Sequence, residues 1–280
     1  MEKADKKTGR IYFEHCPYCE FQDLQYYLTR ADKTPLKKCR NCGLIFVEYY
    51  DSKIGESLYR SEDYFKKSGS RLAGYGYQDY FQAAPETFYW QKLLVLLLCD
   101  SRRKRLLDVG CASGNLLYLL RGLKEGVGID ISEKAVEIAR SRGLNAYACN
   151  VFEIDKYIGQ GSKFDVITAF DFIEHVPEPK KLLSKIKTLL SDDGIFLFST
   201  PDCSSSAEKA EKENCAVYRE SLEHLLFLTA DFVRFACKDV FNAEPSLFTK
   251  RYGGYFTLIC FFSPDNIHNQ YISELSPNFS

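Results

Sequence analysis

An α/β architecture is what this sequence of 280 residues predicts: a doubly wound, mostly parallel sheet preceded by a small metal-binding module. Three observations carry that expectation. From Arg105 onward, short apolar runs of strand type alternate with amphipathic helical segments. Between the first such strand and the helix after it lies a turn of tiny residues, Gly110-Cys-Ala-Ser-Gly114. Near the N-terminus stand two Cys-x-x-Cys pairs separated by nineteen residues.

Composition narrows the class of function before any motif is read. Apolar residues make up 45% and charged residues 27%, the proportions of an ordinary soluble globular protein. A formal net charge of −1 supplies no broad field for a polyanion, so nucleic acid is an unlikely partner. The start, Met1-Glu-Lys-Ala-Asp-Lys-Lys7, lacks the apolar core of a cleaved leader, and a cytoplasmic location is expected. Leu93-Leu-Val-Leu-Leu-Leu98 is far shorter than the roughly 20 residues of a membrane crossing and reads as a buried helix. Eleven cysteines, an odd number with four in two tight pairs, fit a disulfide framework poorly.

Taken in order, residues 1–48 form the first module. The pairs Cys16/Cys19 and Cys39/Cys42 have the separation of a zinc ribbon: each knuckle turns two thiolates toward one ion, and Gly43 permits a tight turn after the last ligand. Four sulfurs close the coordination shell, so such a zinc is structural and adds its binding free energy to folding. The competing reading is four free or redox-active thiols. Residues 49–104 are crowded with aromatics, including Tyr49, Tyr50, Tyr59, Tyr64, Phe65, Tyr75, Tyr77, Tyr80 and Phe81. They fit a helical cap that covers a bound substrate, or plain packing between the module and the main domain. A helix over 89–100 and a basic connector, 101–104, lead into that domain at 105–262.

There the expected elements are strands at 105–110, 126–130, 145–149, 164–170 and 194–199, with helices at 116–123, 133–142 and 179–190 between them. Ser132 is placed to cap the second of these helices. A polar stretch, Ser204–Arg219, reads as an exposed excursion or a lid. A helix at 229–240 and strands at 245–249 and 255–262 complete seven strands, and the polar tail 263–280 is expected to be weakly ordered.

The small-residue turn is the first chemical signal. It brings backbone N–H groups and a helix N-terminus to a ligand, with Gly110 and Gly114 removing side chains that would block approach. Asp108 lies in the strand just before it, and Cys111 within it has no visible base beside it, which favours a packing role over a nucleophilic one. Asp130, followed by Ile131, closes the second strand about twenty residues on, where a carboxylate can accept both hydroxyls of a ribose. The turn is not the Gly-x-Gly-x-x-Gly of a dinucleotide site, and no diphosphate cradle is evident.

Leu106-Leu-Asp-Val-Gly-Cys-Ala-Ser-Gly114 resembles the first motif of class I methyltransferases that use S-adenosylmethionine, and the order of motifs is similar from Arg105 to Phe262. The resemblance implies a Rossmann-like seven-stranded sheet and a ribose contact from Asp130. It also implies adenine contacts around Asn150, Val151 and Phe152. Phe170-Asp-Phe-Ile-Glu-His-Val-Pro177, with Asp171 and Phe172, falls beside the methionine part of the cofactor. Ala112 departs from a glycine common in that family, and its methyl group fits if the backbone keeps φ negative. Asn150 stands where relatives often carry aspartate, offering both a donor and an acceptor to adenine. The cysteine pairs with an aromatic connector are similar, more distantly, to zinc-containing sugar C-methyltransferases, whose acid–base pair after strand five implies a role for Glu223 and His224.

Such a transfer needs a nucleophile aligned with the methyl group and a group that accepts its proton. His175 and His224, each directly after a glutamate, are the two candidates for general base. His175 has a structural alternative, tying its loop to a backbone carbonyl. Asp171 and Glu174 either cap the following turn or attract the cationic cofactor. The expected activity is methyl transfer from S-adenosylmethionine to a small molecule or carbohydrate-type acceptor. Two other readings stay open: a zinc-ribbon RNA methyltransferase using Lys37, Lys38 and Arg40, and a non-catalytic cofactor-binding or scaffold protein. Oligomeric state is not legible.

Overall fold

The computed structural model describes residues 2–5, 8–51, 59, 89–98, 104–203, 217–218, 223–252 and 255–262. Most of the expected aromatic cap, most of the Ser204–Arg219 excursion and the tail from Ser263 lie outside these residues. No helix among the described residues is long and apolar enough to cross a membrane.

The N-terminal part builds two small sheets. Strands β1 (Glu2–Asp5), β2 (Arg10–Phe13) and β6 (Tyr49–Asp51) form one. Strands β3 (Leu24–Thr29), β4 (Pro35–Cys39) and β5 (Ile45–Val47) form most of the other. The fourth strand of that second sheet comes from far along the chain, as described below. The apolar run of residues 93–98 belongs to helix α1 (Tyr89–Leu98), in which Leu94 and Val95 are buried.

The main sheet begins with β7 (Arg105–Val109), apolar and buried past its first residue. Helix α2 (Asn115–Leu120) is shorter than its apolar pattern predicts: Arg121 leaves helical geometry and Gly122, at φ +77°, turns the chain into β8 (Glu125–Asp130). Ser132 caps α3 (Glu133–Ser141) by accepting the Ala135 N–H. Then follow β9 (Asn145–Ala148), a short α4 (Asp155–Ile158) and β10 (Phe164–Phe170). Helix α5 (Pro179–Leu189), with proline in its first turn, buries Leu182, Leu183, Ile186 and Leu189 on one face. Strand β11 (Leu190–Pro201) is twice the predicted length, because Leu190 already pairs with Phe164 across a bulge before the regular register starts at Val166.

After β11 the chain returns to the N-terminal part. Strand β12 (Leu226–Phe227) pairs antiparallel with β5, Leu226 opposite Phe46 and Phe227 opposite Ile45, and so completes the second small sheet. Val217 and Tyr218, inside the stretch expected to be exposed, are buried instead, with the Tyr218 ring 5.1 Å from Phe227 and 6.0 Å from Tyr27. Helix α6 (Ala230–Phe241), capped by Thr229, leads to β13 (Ser246–Tyr252) and β14 (Tyr255–Phe262). The order across the main sheet is β13-β14-β11-β10-β7-β8-β9. The five strands from β11 to β9 run parallel, and β14 is antiparallel to both its neighbours.

One apolar core joins the two parts. Leu36, Ile45 and Phe46 of the small sheet share it with Phe196 and Phe198 of β11, Ile186 of α5 and Phe232 of α6. Tyr18, between the first two paired cysteines, sets its ring edge-on to Phe232 at 5.2 Å and donates its hydroxyl to the Asp239 carboxylate at 2.9 Å. Replacing the fully buried Phe46 with alanine removes packing from both parts at once and is expected to cost about 3–5 kcal/mol. Calorimetry of Phe46→Ala should show one transition shifted down as a whole; a separate transition for the small sheets would contradict the shared core.

Candidate functional site

Strand β7 lies between β8 and β10, so the connections leaving it diverge and open a crevice at the carboxyl ends of the strands. The small-residue turn fills the floor of that crevice. Gly110 at φ +74° and Gly114 at φ +77° are left-handed. A Cβ on Gly110 would lie 2.7 Å from the Phe172 ring, and one on Gly114 would lie 2.5 Å from Leu144. The N–H groups of Gly110 and Cys111 both donate to the Ile129 carbonyl, at 2.9 and 3.0 Å. Ala112 does not meet the condition set for it from sequence: its φ is +46°, a left-handed residue with a Cβ. It is held there because its N–H donates to Asp130 Oδ2 at 2.9 Å.

Asp130 accepts a second backbone N–H, from Ser132, on Oδ1 at 2.8 Å. Each oxygen keeps a further lone pair for a ligand. Burial raises the Asp130 pKa, and these backbone bonds oppose the rise. Asp108 points into the sheet and accepts the Thr168 hydroxyl at 2.7 Å; burial pushes its pKa up to about 7. Cys111 packs under Gly128, whose Cβ would sit 2.7 Å from its sulfur, and burial lifts its thiol well above the ordinary range. Asn150 uses its side-chain oxygen locally, accepting the Phe152 N–H at 3.1 Å to cap the turn Val151–Glu153. One lone pair of that oxygen is thereby spent, which leaves the amide donors and its second lone pair for a base. Val151 is buried, Phe152 and Ile131 are half-buried, and Lys181 lies 4.6 Å over the Phe152 ring.

A second group of residues begins just beyond Phe172. Asp171, at φ +48°, donates its N–H to the Ser199 carbonyl at 3.0 Å and accepts the Ser199 hydroxyl at 2.9 Å. The turn Ile173–His175 then brings Glu174 and His175 against the segment that enters β12. The His175 and His224 rings are 4.8 Å apart, and His224 Nε2 lies 3.9 Å from Glu174 Oε1. His175 Nδ1 is 2.6 Å from the Tyr59 hydroxyl and 3.4 Å from the Glu223 carbonyl. The Leu225 N–H donates to the Glu174 carbonyl, and Arg30 donates to the His224 carbonyl at 3.0 Å. Asp32 grips the same guanidinium with both oxygens, at 3.0 and 2.7 Å.

Burial sets the electrostatics of this group. It raises Glu174 well above the usual carboxylate range, with Asp171 and Glu223 adding repulsion. Burial also lifts Glu223 to about 7, brings His175 down to about 4 and holds His224 well below its ordinary value, with His175 and Arg30 contributing to the last. Glu174 is 1% exposed, and neither carboxylate oxygen has a hydrogen-bond partner among the described residues. His224 Nδ1 and Glu223 Oε2 are in the same condition. Arg30 is a contributor that pattern reading missed, and Tyr59 is one of the aromatics it expected in a cap. Nothing local marks Arg30, whereas Tyr59 lies in the aromatic stretch that signals a cover.

The four paired cysteines converge as their spacing predicts. Cys16 and Cys42 sulfurs are 3.5 Å apart and those of Cys19 and Cys39 are 3.6 Å apart, with all four within 4.8 Å. Tetrahedral zinc with Zn–S bonds of ~2.3 Å separates its sulfurs by about 3.8 Å, so the cluster fits that ion. Two of the three cations that would favour RNA on this module have acidic partners: Lys37 pairs with Glu48 at 2.9 Å and Arg40 with Asp23 at 3.5 Å.

Residues 81–271 match the protein family described as a methyltransferase domain. The chain is 37% identical over 111 residues to a ubiquinone biosynthesis O-methyltransferase of Neisseria meningitidis serogroup C (strain 053442), covering 36% of this chain and 45% of that one. It is 33% identical over 113 residues to the protein of the same name from Pasteurella multocida (strain Pm70), covering 35% and 46%. The chain thus spans about half the length of the curated relatives it matches. Among solved structures, the plantazolicin methyltransferase BamL, in complex with a substrate analog and SAH, aligns with a TM-score of 0.52 at 15% identity over 76% of this chain and 98% of that one. The magnesium protoporphyrin IX methyltransferase of Synechocystis PCC 6803 with bound SAH aligns at 0.50 and 18%, over 71% and 96%. At these identities the likeness is one of fold.

Two substitutions check the geometry of the turn. Ala112→Gly relieves a left-handed residue and should stabilise the chain by up to about 1 kcal/mol in a thermal melt. A lower melting temperature would show that the methyl group does more than occupy space. Asp108 has a folded pKa of about 7, above its unfolded value, so the fold loses stability as pH rises between the two. Asp108→Asn should therefore gain in melting temperature over wild type from pH 5 to pH 8; a constant difference would contradict the buried, neutral carboxyl.

Proposed function

We propose, on the premise that this chain belongs to the methyltransferase-domain family, that it moves a methyl group from S-adenosylmethionine to an oxygen of a small-molecule acceptor. One observation supports this above the others: the left-handed turn Gly110–Gly114, with Asp130 beneath it, is joined through Phe172 to a buried cluster of two histidines and two glutamates. A cofactor floor and a proton-accepting group thus lie at one end of the sheet. That combination is what transfer to a hydroxyl requires.

The residues present fit the cofactor. Gly110 and Gly114 sit where any Cβ would collide, and Asp130 has lone pairs left for two ribose hydroxyls. In this reading the Asn150 amide and the Phe152 ring serve adenine, and Asp171 with Phe172 serves the methionine part. Bound S-adenosylmethionine supplies a methyl group on a sulfonium leaving group. The protein supplies alignment, exclusion of water and a destination for the acceptor's proton. His224 is that destination in this reading. It is neutral, buried and has an unpartnered Nδ1, whereas His175 Nδ1 already faces the Tyr59 hydroxyl and the Glu223 carbonyl.

An oxygen acceptor is favoured by the O-methyltransferase names of the relatives, and a small one by the paired charges of the N-terminal module. A carbohydrate-type hydroxyl falls within that class. Zinc on Cys16, Cys19, Cys39 and Cys42 completes the reading, as a support that holds the small sheets together.

Turnover of labelled S-adenosylmethionine against a metabolite extract, with mass spectrometry for a product carrying one added methyl group, tests the proposal. His224→Gln is expected to lower the rate by about 10²–10⁴ with cofactor affinity retained. An undiminished rate would remove His224 from the mechanism, and no product from wild type would remove the activity. Chelation should release zinc from the four thiolates and lower the melting temperature; a chain that neither loses zinc nor melts earlier has no such site.

A further inference from the structure

Three side chains from two distant segments meet without satisfying one another. Glu174, His175 and His224 each present one ligand atom, and these atoms lie within 4.8 Å of one another. The carboxylate of Glu174 and Nδ1 of His224 are buried and unpartnered among the described residues, although both side chains are more than nine-tenths buried. A buried polar atom without a partner costs on the order of 1–3 kcal/mol, and more when charged, so a ligand that engages these atoms recovers a sizeable free energy. Two further carboxyls, those of Asp171 and Glu223, are close enough to act on Glu174 electrostatically. Arg30, the cation that reaches this segment, donates to the His224 carbonyl and is gripped by Asp32.

From this geometry we infer that Glu174, His175 and His224 form a second metal site, distinct from the four cysteines, for a divalent transition cation of the zinc class. Two imidazoles and one carboxylate are the donor set of open catalytic zinc and related sites, which keep a coordination position for an oxygen ligand. Bonds of ~2.1 Å draw three such donors to about 3.4 Å of one another, a contraction that side-chain rotation supplies. The surroundings match what orients metal-bound imidazoles: His175 Nδ1 lies 3.4 Å from the Glu223 carbonyl and 2.6 Å from the Tyr59 hydroxyl. The role of the site, unlike its existence, rests on the methyl-transfer reading. An ion held by Glu174, His175 and His224 would lower the pKa of an acceptor hydroxyl bound to it, and the proton would then pass to solvent in place of His224.

Cobalt(II) separates the two metal sites, because thiolate ligation gives intense charge-transfer absorption and nitrogen–oxygen ligation gives weak d–d bands. The full chain, freed of metal and titrated with Co²⁺, should bind about two ions. Glu174→Gln and His224→Asn should each bind about one, with the thiolate absorption unchanged as the sign of a folded module. Binding of a single ion by wild type, at the thiolates, overturns the inference, and so does retention of the second ion by both variants. His175→Gln serves in place of either variant that loses the thiolate band. Calorimetry with S-adenosylhomocysteine on the same samples keeps the two readings apart: no heat removes the methyl-transfer role, whereas a second Co²⁺ bound under those conditions preserves the site.

Discussion

The pairing of Leu226–Phe227 with Ile45–Phe46 is the constraint on which the rest depends. It carries two interstrand steps, yet it joins segments about 180 residues apart into one sheet and one core. Bonds on both sides reinforce it. The Val47 N–H donates to the Leu225 carbonyl, the Leu225 N–H donates to the Glu174 carbonyl, and Arg30 reaches the His224 carbonyl. The backbone that carries Glu223 and His224 is thereby held between the cysteine module and the end of β10. A histidine in a loop gains a fixed position from both sides, which is how a rigid scaffold positions a reactive side chain.

The two halves of the site accordingly have different origins. The half proposed for the cofactor follows from the parallel sheet itself, because the crevice beside β7 exists wherever strand order reverses, and glycine at 110 and 114 lets Phe172 and Leu144 pack against the left-handed turn. The half proposed to take the acceptor is assembled from the turn after β10 and the segment entering β12, which the β5–β12 pair ties to the small sheets. The small sheets hold their shape by sharing the core of the main sheet, and the four converging thiols are suited to one further cross-link through an ion. The buried carboxyls of Glu174 and Glu223 are the thermodynamic cost of this arrangement, and unsatisfied groups of that kind gather at functional sites.

What the sequence made legible follows the range of the forces involved. Strands such as Phe164–Phe170 and Tyr255–Phe262 are bounded by local pattern, and they appear where that pattern places them. The cap at Ser132 and the convergence of four cysteines are likewise local rules of spacing. Helix α2 ended early because Gly122 offered a left-handed exit that the apolar run concealed. The positive φ of Ala112 was hidden for another reason: the Asp130 carboxylate that holds its N–H lies 18 positions away. Beyond local reach altogether were the β5–β12 pair, the burial of Val217 and Tyr218, and Arg30 beneath His224. These arise from tertiary contacts between segments with no periodic signal in common. The motif order singled out Asp130 and Phe172, both of which pack against the turn, and it could not reveal that Asn150 uses its acceptor to cap its own turn.

The central claim is that the sheet builds the cofactor half of the site and the cysteine module braces the acceptor half. Calorimetry with S-adenosylhomocysteine on wild type, Asp130→Ala and Arg30→Ala tests it directly. Wild type and Arg30→Ala should bind alike. Asp130→Ala should bind at least about tenfold more weakly, for the loss of hydrogen bonds to a buried carboxylate worth ~1.5–3 kcal/mol. No heat from wild type, or undiminished binding by Asp130→Ala, would contradict the account.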